Sequence, residues 1–454
     1  MELNDNIFRA NDIRGIAFED LTQEVVYALG RALGSESLNR KENDFIIGRD
    51  GRVSSPQLFE WLSEGVTSTG CNVVDIGIVP SPVFYHATFN LKSSSGVVIT
   101  GSHNPSNYNG FKILFDTHST SSEEIQSIKK RIKEKEFYTG KGSMQSIDIV
   151  ESYIQEVTNN IRLKRPLNIS IDCGNGAASI VAEKVYKRLG CEVKGLFCDL
   201  DGTFPNHHPD PSRPENVQEL IKSVKENNSE IGLAFDGDAD RLGVISPSGE
   251  MIFPDMQMIL FSQDILMENP NSKIVFDVKC SKLLEQAILD SNGTPLMSKT
   301  GHTFIKTMIR EEQAILGGEM SGHIFFNDRW PGFDDGVYAG ARMLEILSNT
   351  EDEDIFKTLP KSVSTPEINI ETTDEDKFSI IEEFKRLSNF IDCKIIDIDG
   401  IRVEFNNGWG LLRASNTSPV LVLRFEADSL ETLESIKSRF KDTLNKIEPS
   451  LTNF

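Results

Sequence analysis

Apolar positions along this chain alternate between two rhythms. Short runs rich in β-branched residues are followed by longer stretches in which apolar residues recur at helical spacing, which predicts an α/β protein. One block occurs three times. In the first copy, Phe45-Ile-Ile-Gly-Arg-Asp-Gly-Arg52 is an apolar run ending in glycine and charge. A helical stretch follows from about Pro56, and Gly70-Cys-Asn-Val-Val-Asp75 opens the next run. The second copy is Ile169-Ser-Ile-Asp-Cys-Gly-Asn-Gly176, a helix through Leu189, then Gly190-Cys-Glu-Val193. The third is Ile274-Val-Phe-Asp-Val-Lys-Cys-Ser281, a helix through Asp290, then Gly293-Thr-Pro-Leu296. Each reads strand, loop, helix, helix-ending glycine, strand. The matching glycine favours three similar domains over chance triplets. Beyond them, Glu351-Asp-Glu-Asp354 is a solvated acidic knot and Leu359-Pro-Lys-Ser-Val-Ser-Thr-Pro366 has linker composition. Another strand–helix pattern and the run Val420-Leu-Val-Leu-Arg-Phe425 predict a fourth, smaller α+β domain. The expected boundaries are 1–147, 148–250, 251–361 and 362–454.

Length and charge narrow the function. The 454 residues alone suggest about three domains, at roughly 150 residues each; the repeats sharpen this to three plus one. The net charge of −22 argues against nucleic acid or an anionic membrane as partner, since both require a basic face. A small anionic substrate needs only a local cluster of cations. No apolar run reaches the ~18 residues of a membrane span. The start, Met-Glu-Leu-Asn-Asp, lacks the basic-then-apolar order of a signal peptide. The six cysteines form no C-x-x-C pair, so reduced thiols in a cytoplasmic protein are expected.

Four loops could hold chemistry. Gly96-Val-Val-Ile-Thr-Gly-Ser-His-Asn-Pro105, continuing to Asn109-Gly-Phe-Lys112, ends an apolar strand in a polar turn that presents Ser102 and His103. Such a serine can be a nucleophile or phosphate carrier, or an ordinary turn serine; it lacks the G-x-S-x-G elbow of esterases. Ile231-Gly-Leu-Ala-Phe-Asp-Gly-Asp-Ala-Asp-Arg241 sets Asp236, Asp238 and Asp240 at alternate positions, on one side of an extended chain. Three like charges so close repel unless a cation neutralises them, so a hard divalent ion is the natural occupant; the alternative is an acidic surface turn. An EF-hand is excluded by Arg241 at position 6 and Pro247 at position 12. Few carboxylates and a partner phosphate suit Mg²⁺ better than Ca²⁺. Gly317-Gly-Glu-Met-Ser-Gly-His323 can present carboxylate, hydroxyl and imidazole to a polyol, although His323 by itself reads as structural. Arg413-Ala-Ser-Asn-Thr-Ser-Pro419 can wrap a phosphate or form a turn rich in capping residues. Together the loops suggest phosphoryl transfer on a sugar phosphate.

At these residues the sequence resembles the α-D-phosphohexomutase superfamily, nearest its bacterial bifunctional phosphomannomutase/phosphoglucomutase group. The motifs, in the family's order, are Asp12-Ile-Arg-Gly15, Thr100-Gly-Ser-His-Asn-Pro105, Asp236-Gly-Asp-Ala-Asp-Arg241, Gly318-Glu-Met-Ser-Gly-His323 and Arg413-Ala-Ser-Asn-Thr417. The resemblance spans essentially the whole chain. It implies a heart-shaped four-domain molecule, with three similar α/β domains of mixed sheet and a smaller one closing over a central cleft. The domains would supply, in order, the phosphoserine, metal, sugar-binding and phosphate-binding loops.

The resemblance makes Ser102 the phosphoserine. Its phosphate, with Asp236, Asp238 and Asp240, would ligate one Mg²⁺, and Arg241 would steady it beside His103. Glu319 and Ser321 would bind sugar hydroxyls. Arg413, Ser415, Asn416 and Thr417 would bind the non-reacting phosphate. Lys279 and His302 would line the cleft with Arg329 nearby. Lys112, His323 and Arg14 are the acid/base candidates, and a lysine in that role needs a depressed pKa. The implied reaction interconverts mannose and glucose 1- and 6-phosphates through a 1,6-bisphosphate, with glucose 1,6-bisphosphate as activator. The alternative is a phosphoglucosamine mutase, although Met320 stands where that group typically has Gln. A Mg²⁺-dependent phosphatase fits less well, because Asp240 replaces the Thr or Val such enzymes want. A non-catalytic sugar-phosphate binder would leave four complete loops without a purpose. Asn11 occupies a position where close relatives often have Tyr. A monomer is expected, with a fourth domain mobile on the 359–366 linker.

Overall fold

The computed structural model describes residues 3–9, 12–350, 354–415, 418–452 and 454. Four sheets follow one another along the chain, and the first three share a core arrangement deeper than the repeated block. In each, the two strands of that block run parallel: Asp44–Arg49 with Asn72–Ile78, Asn168–Asp172 with Glu192–Leu196, and Lys273–Asp277 with Thr294–Ser298. A third strand adds in parallel on the other side: Gly96–Ile99, Ile231–Phe235 or Leu316–Gly318. It then turns back into an antiparallel fourth: Tyr108–Phe115, Leu242–Ile245 or Ile324–Phe326. The central parallel strands are near-continuous apolar runs because helices cover them; Ile231–Phe235 is buried at every position, whereas the outer strand Glu192–Leu196 is largely exposed.

The hairpin between the third and fourth strands is the slot that matters. It holds Ser102 in the first unit, Asp236 to Arg241 in the second, and Glu319 to His323 in the third. The fourth unit is an antiparallel sheet backed by the helices Asp376–Leu387 and Leu430–Ile447. Its hairpin between Gly408–Ala414 and Val420–Ala427 holds Ser415. One recurring topology therefore delivers one loop per unit.

The segment with linker composition is partly ordered into this sheet. Val363–Ser364 pairs with Val420–Ala427 as an edge strand. The third and fourth units also meet through buried charge. Arg402 gives 2.7 Å hydrogen bonds to the carbonyls of Val278 and Cys280, and Arg424 bonds the carbonyl of Lys279. This seam is more firmly built than a free linker would make it. Among the described residues, no helix is long and apolar enough to cross a membrane.

Candidate active site

Ser102 lies at the tip of the first hairpin in the left-handed region, with φ 49°, a conformation that non-glycine residues adopt only when surroundings enforce it. Thr100 Oγ1 accepts its N–H at 2.8 Å and donates to Asp50 at 2.8 Å. Arg52, wholly buried, gives hydrogen bonds to the carbonyls of Ser102, Asn104, Pro105 and Tyr108 at 2.6–3.0 Å. A guanidinium with five fixed donors can satisfy four carbonyls of one turn, which a lysine cannot. The loop holds the Ser102 hydroxyl 3.0 Å from Asp236 Oδ2 and 3.0 Å from His103 Nδ1. Burial, with Arg241 and Arg14 nearby, pushes His103 well below the usual imidazole range, so its ring is neutral. Arg14 reaches the same turn through Asn104 at 2.7 Å. A cavity of about 460 Å³ opens beside it, between 103–105 and 208–216.

Asp236, Asp238 and Asp240 are fully buried, and their oxygens lie within 4.8 Å of one another. The Lys112 ammonium enters this cluster, 2.6 Å from Asp238 and bonded also to Asp240. Burial alone would lower the Lys112 pKa, but Asp238 and Asp240 outweigh it and hold the group well above its ordinary value. The depressed pKa that a lysine base requires is therefore not what this arrangement gives. Burial and the neighbouring carboxylates push Asp236 far up, whereas Lys112 and His323 overcome burial to hold Asp240 far down. Asp238 keeps one buried oxygen without a hydrogen-bond partner, and the second Asp240 oxygen makes no hydrogen bond but faces His323 Nε2 at 3.3 Å. Three converging carboxylates with spare oxygens, beside a serine hydroxyl, fit a hard divalent cation.

The third hairpin brings His323 against this cluster. Its Nε2 is 3.3 Å from Asp240, and its Nδ1 is 3.1 Å from Glu319 and 3.0 Å from Ser321 Oγ. Burial disfavours the imidazolium, but Asp240 prevails over Arg241 and lifts the pKa to about 9. The His302 ring stacks on it at 5.6 Å. Glu319 also accepts the Gly301 N–H at 2.6 Å, which ties the third hairpin to the helix His302–Glu312. Arg241 N–H donates to Asp236 at 3.2 Å, and its guanidinium lies 3.4 Å from His323. From the other side, Lys279 pairs with Glu367 at 2.7 Å and Arg413 with Asp399 at 2.9 Å.

Descriptions of the phosphoglucomutase/phosphomannomutase α/β/α domains I, II and III match residues 5–139, 151–249 and 253–364, and that of the C-terminal domain matches 367–443. The chain belongs to the phosphoglucomutase/phosphomannomutase family. It is 49% identical over 451 residues to a phosphomannomutase/phosphoglucomutase of Pseudomonas putida, covering 99% of this chain and 97% of that one. It is 48% identical to a phosphoglucomutase of Neisseria gonorrhoeae over 441 residues, 96% of each chain. A crystal structure of a phosphoglucomutase/phosphomannomutase family protein from Burkholderia thailandensis superimposes with a TM-score of 0.95 at 43% identity, covering 99% of both chains.

Set against the family's motifs, the structure gathers Arg14, Ser102, His103, Lys112, the three aspartates, Arg241, His302, Glu319, Ser321 and His323 into one connected cluster. Arg329 is not part of it. Its guanidinium pairs with Glu345 and bonds the Asn160 carbonyl at 3.2 Å, on the seam between the second and third units. A cleft role for Arg329 is therefore dropped: Glu345 and Asp328 already claim its charge. Ser415 caps its own turn, accepting the Ser418 N–H at 3.2 Å. Asn416, Thr417 and Asn11 lie outside the described residues. Sequence reasoning passed over four participants. Arg52 builds the serine turn. Ser81 donates to Asp238 at 2.5 Å. Asp334, buried behind the two histidines, lies 3.5 Å from His302 and 2.6 Å from Lys306. Lys306 continues to Ser119 at 3.2 Å and covers the Tyr85 ring at 4.3 Å, linking the third unit to the first.

Proposed function

We propose that this chain reversibly interconverts hexose 1-phosphates and 6-phosphates, with mannose and glucose as the sugars, through a phosphoserine at Ser102. The observation that supports this most is the setting of the Ser102 hydroxyl. It is buried at a strained hairpin tip, against Asp236, with loops of the second and third units converging on it. Phosphoserine gives its phosphoryl group to the free hydroxyl of a hexose phosphate: the serine O–P bond breaks as the sugar O–P bond forms. The resulting 1,6-bisphosphate turns over in the cleft and returns its other phosphoryl group to Ser102. Glucose 1,6-bisphosphate supplied from outside would prime an unphosphorylated enzyme by the same step.

Asp236, Asp238 and Asp240, with the Ser102 phosphate, would hold Mg²⁺. Bound there, the ion stabilises negative charge on the transferring group. Lys112 and Arg241 keep that charge compensated from the protein side, and Arg14 braces the serine turn through Asn104. His323 exchanges the proton of the reacting hydroxyl: its imidazolium protonates the sugar oxygen as the phosphoryl group passes from it to Ser102, and its neutral form accepts the proton in the opposite direction. Glu319 and Ser321 orient the sugar hydroxyls, with His302 alongside. Lys279 and Arg413, with Ser415, Asn416 and Thr417, receive the second phosphate. The relatives at 48–49% identity are named for mannose and glucose phosphates, which favours these sugars over glucosamine phosphate.

Two measurements test this. Protein as purified should contain a species with a phosphate-sized mass increment on Ser102, and Ser102→Ala should abolish conversion of mannose 1-phosphate to the 6-phosphate with its melting temperature retained. Full activity in Ser102→Ala would overturn the reading. Side-by-side coupled assays with mannose, glucose and glucosamine 1-phosphates assign the sugar.

A further inference from the structure

The two cations offered to the second phosphate are both neutralised, in different ways. Arg413 faces Asp399, and Asp399 is held from two sides, since it also accepts the Thr300 N–H at 3.0 Å. Lys279 faces Glu367, which enters the fourth unit one residue before the strand Ile368–Glu371. Among the described residues, this ion pair with Lys279 is the only one Glu367 makes, and its side chain is 38% exposed against 8% for Lys279. The backbone that carries the lysine is pinned. The carbonyls of Val278, Lys279 and Cys280 are all bonded by Arg402 and Arg424, and Ser281 donates to Glu426 at 2.8 Å. If the pair opens, the more exposed carboxylate has room to swing into solvent, whereas the ammonium lies against buried Asp277 at 3.9 Å.

Without Glu367 the buried ammonium would keep only the longer 3.9 Å contact with Asp277, which compensates it less well than the 2.7 Å pair, so exchange for another anion is favoured over simple loss. A phosphate dianion brings more charge than a carboxylate and three acceptor oxygens. A sugar hydroxyl brings no charge and cannot make the exchange. We propose that Glu367 is a displaceable counter-ion of Lys279 that restricts this subsite to phosphorylated sugars. The carboxylate keeps the lysine charged while the site is free, and it competes with any ligand that lacks a dianionic group. This rests on the reading that Lys279 meets the substrate phosphate, and the test separates the two.

Glucose 1-phosphate and free glucose are titrated calorimetrically into full-length protein bearing Ser102→Ala, which blocks turnover. Adding Glu367→Gln should tighten glucose 1-phosphate by about threefold or more, since the competing charge is gone. It should also lower the melting temperature of the free protein while enlarging the rise that glucose 1-phosphate produces. Glu367→Asp, which keeps the charge, should stay near the parent affinity. Lys279→Met should weaken glucose 1-phosphate at least about tenfold. If Lys279→Met weakens binding but Glu367→Gln leaves it unchanged or weaker, the counter-ion role is wrong and the substrate contact stands. If Lys279→Met changes nothing, Lys279 lies outside the substrate site and both readings fall.

Discussion

Lys112 enters the site as a cation held by two carboxylates. Its Nζ is shared between Asp238 and Asp240, and it donates to Asp238 at 2.6 Å. Replacing it with methionine preserves length and removes the charge, leaving three buried carboxylates opposed. Breaking a buried pair in this way costs roughly 3–5 kcal/mol. A divalent ion can supply the missing charge, because Asp238 has an unpartnered oxygen and the Asp240 oxygen released by the lysine lies beside it. Lys112→Met should therefore melt below the parent protein without added metal. Mg²⁺ should raise the melting temperature of the variant by more than that of the parent. An equal response in both would show that the lysine and the ion do not neutralise the same carboxylates. Gly237 shows how tightly this region is fitted: a Cβ there would run into the Ser102 carbonyl, so glycine is what lets the aspartate loop and serine turn touch.

The helix Gly336–Asn349 shows a different balance at its N-terminus. Asp335 caps it by accepting the Tyr338 N–H at 2.8 Å and also accepts the Tyr153 hydroxyl at 3.0 Å. Burial nevertheless lifts its carboxyl from the ordinary 3.8 to about 7. The folded protein therefore keeps a proton that the unfolded chain releases, and stability falls as pH rises across that window. Asp335→Asn removes the titration while keeping an acceptor at the cap. The stability of the parent relative to this variant should decline between about pH 4 and pH 7 and level off above about pH 8, followed by urea unfolding. A difference that stays flat or rises would contradict the burial effect. At this scale the sequence was most readable: three strand–helix–strand blocks appear in the sheets as parallel pairs, with a left-handed glycine after the first two helices, Gly70 and Gly190, and Asn292 in that conformation after the third. The aspartates were legible as three carboxylates too close in sequence to stand uncompensated, but a turn with Ala239 at φ 63° gathers them, not the extended chain expected. Asp334 and Lys306 were not, since their meeting with His302 depends on how a loop and a helix pack, which leaves no local period. Arg52 stands in plain view at the end of the first apolar run, but its four carbonyl partners come from a turn some fifty residues later, and only the folded first unit brings them together.

Across the whole molecule, the net charge of −22 is an average over two unlike regions. Lys112, Lys279 and Arg413 are buried around the converging loops, whereas Glu371, Asp374, Glu375, Asp376 and Glu382 are exposed on the fourth unit. Self-repulsion of that surface opposes the compact state and is screened by salt. Raising NaCl from about 20 mM to about 200 mM should raise the melting temperature by a few degrees, as read by calorimetry. A fall would mean that surface ion pairs outweigh the repulsion. The seam between the third and fourth units also gives the molecule a built-in optical reporter. The chain has three tryptophans, one each in the first, third and fourth units. Trp409 lies wholly buried beneath the Arg402 guanidinium at 3.9 Å, with its indole N–H on Glu426 at 3.1 Å. Trp330 is stacked on Tyr338 at 4.3 Å, far from that seam in sequence and in its contacts. Undocking of the last unit would hydrate the Trp409 indole and leave the environment of Trp330 intact. Its emission would shift to the red while the other two tryptophans stayed constant, so movement of a single unit can be timed from the intrinsic fluorescence of the unlabelled protein.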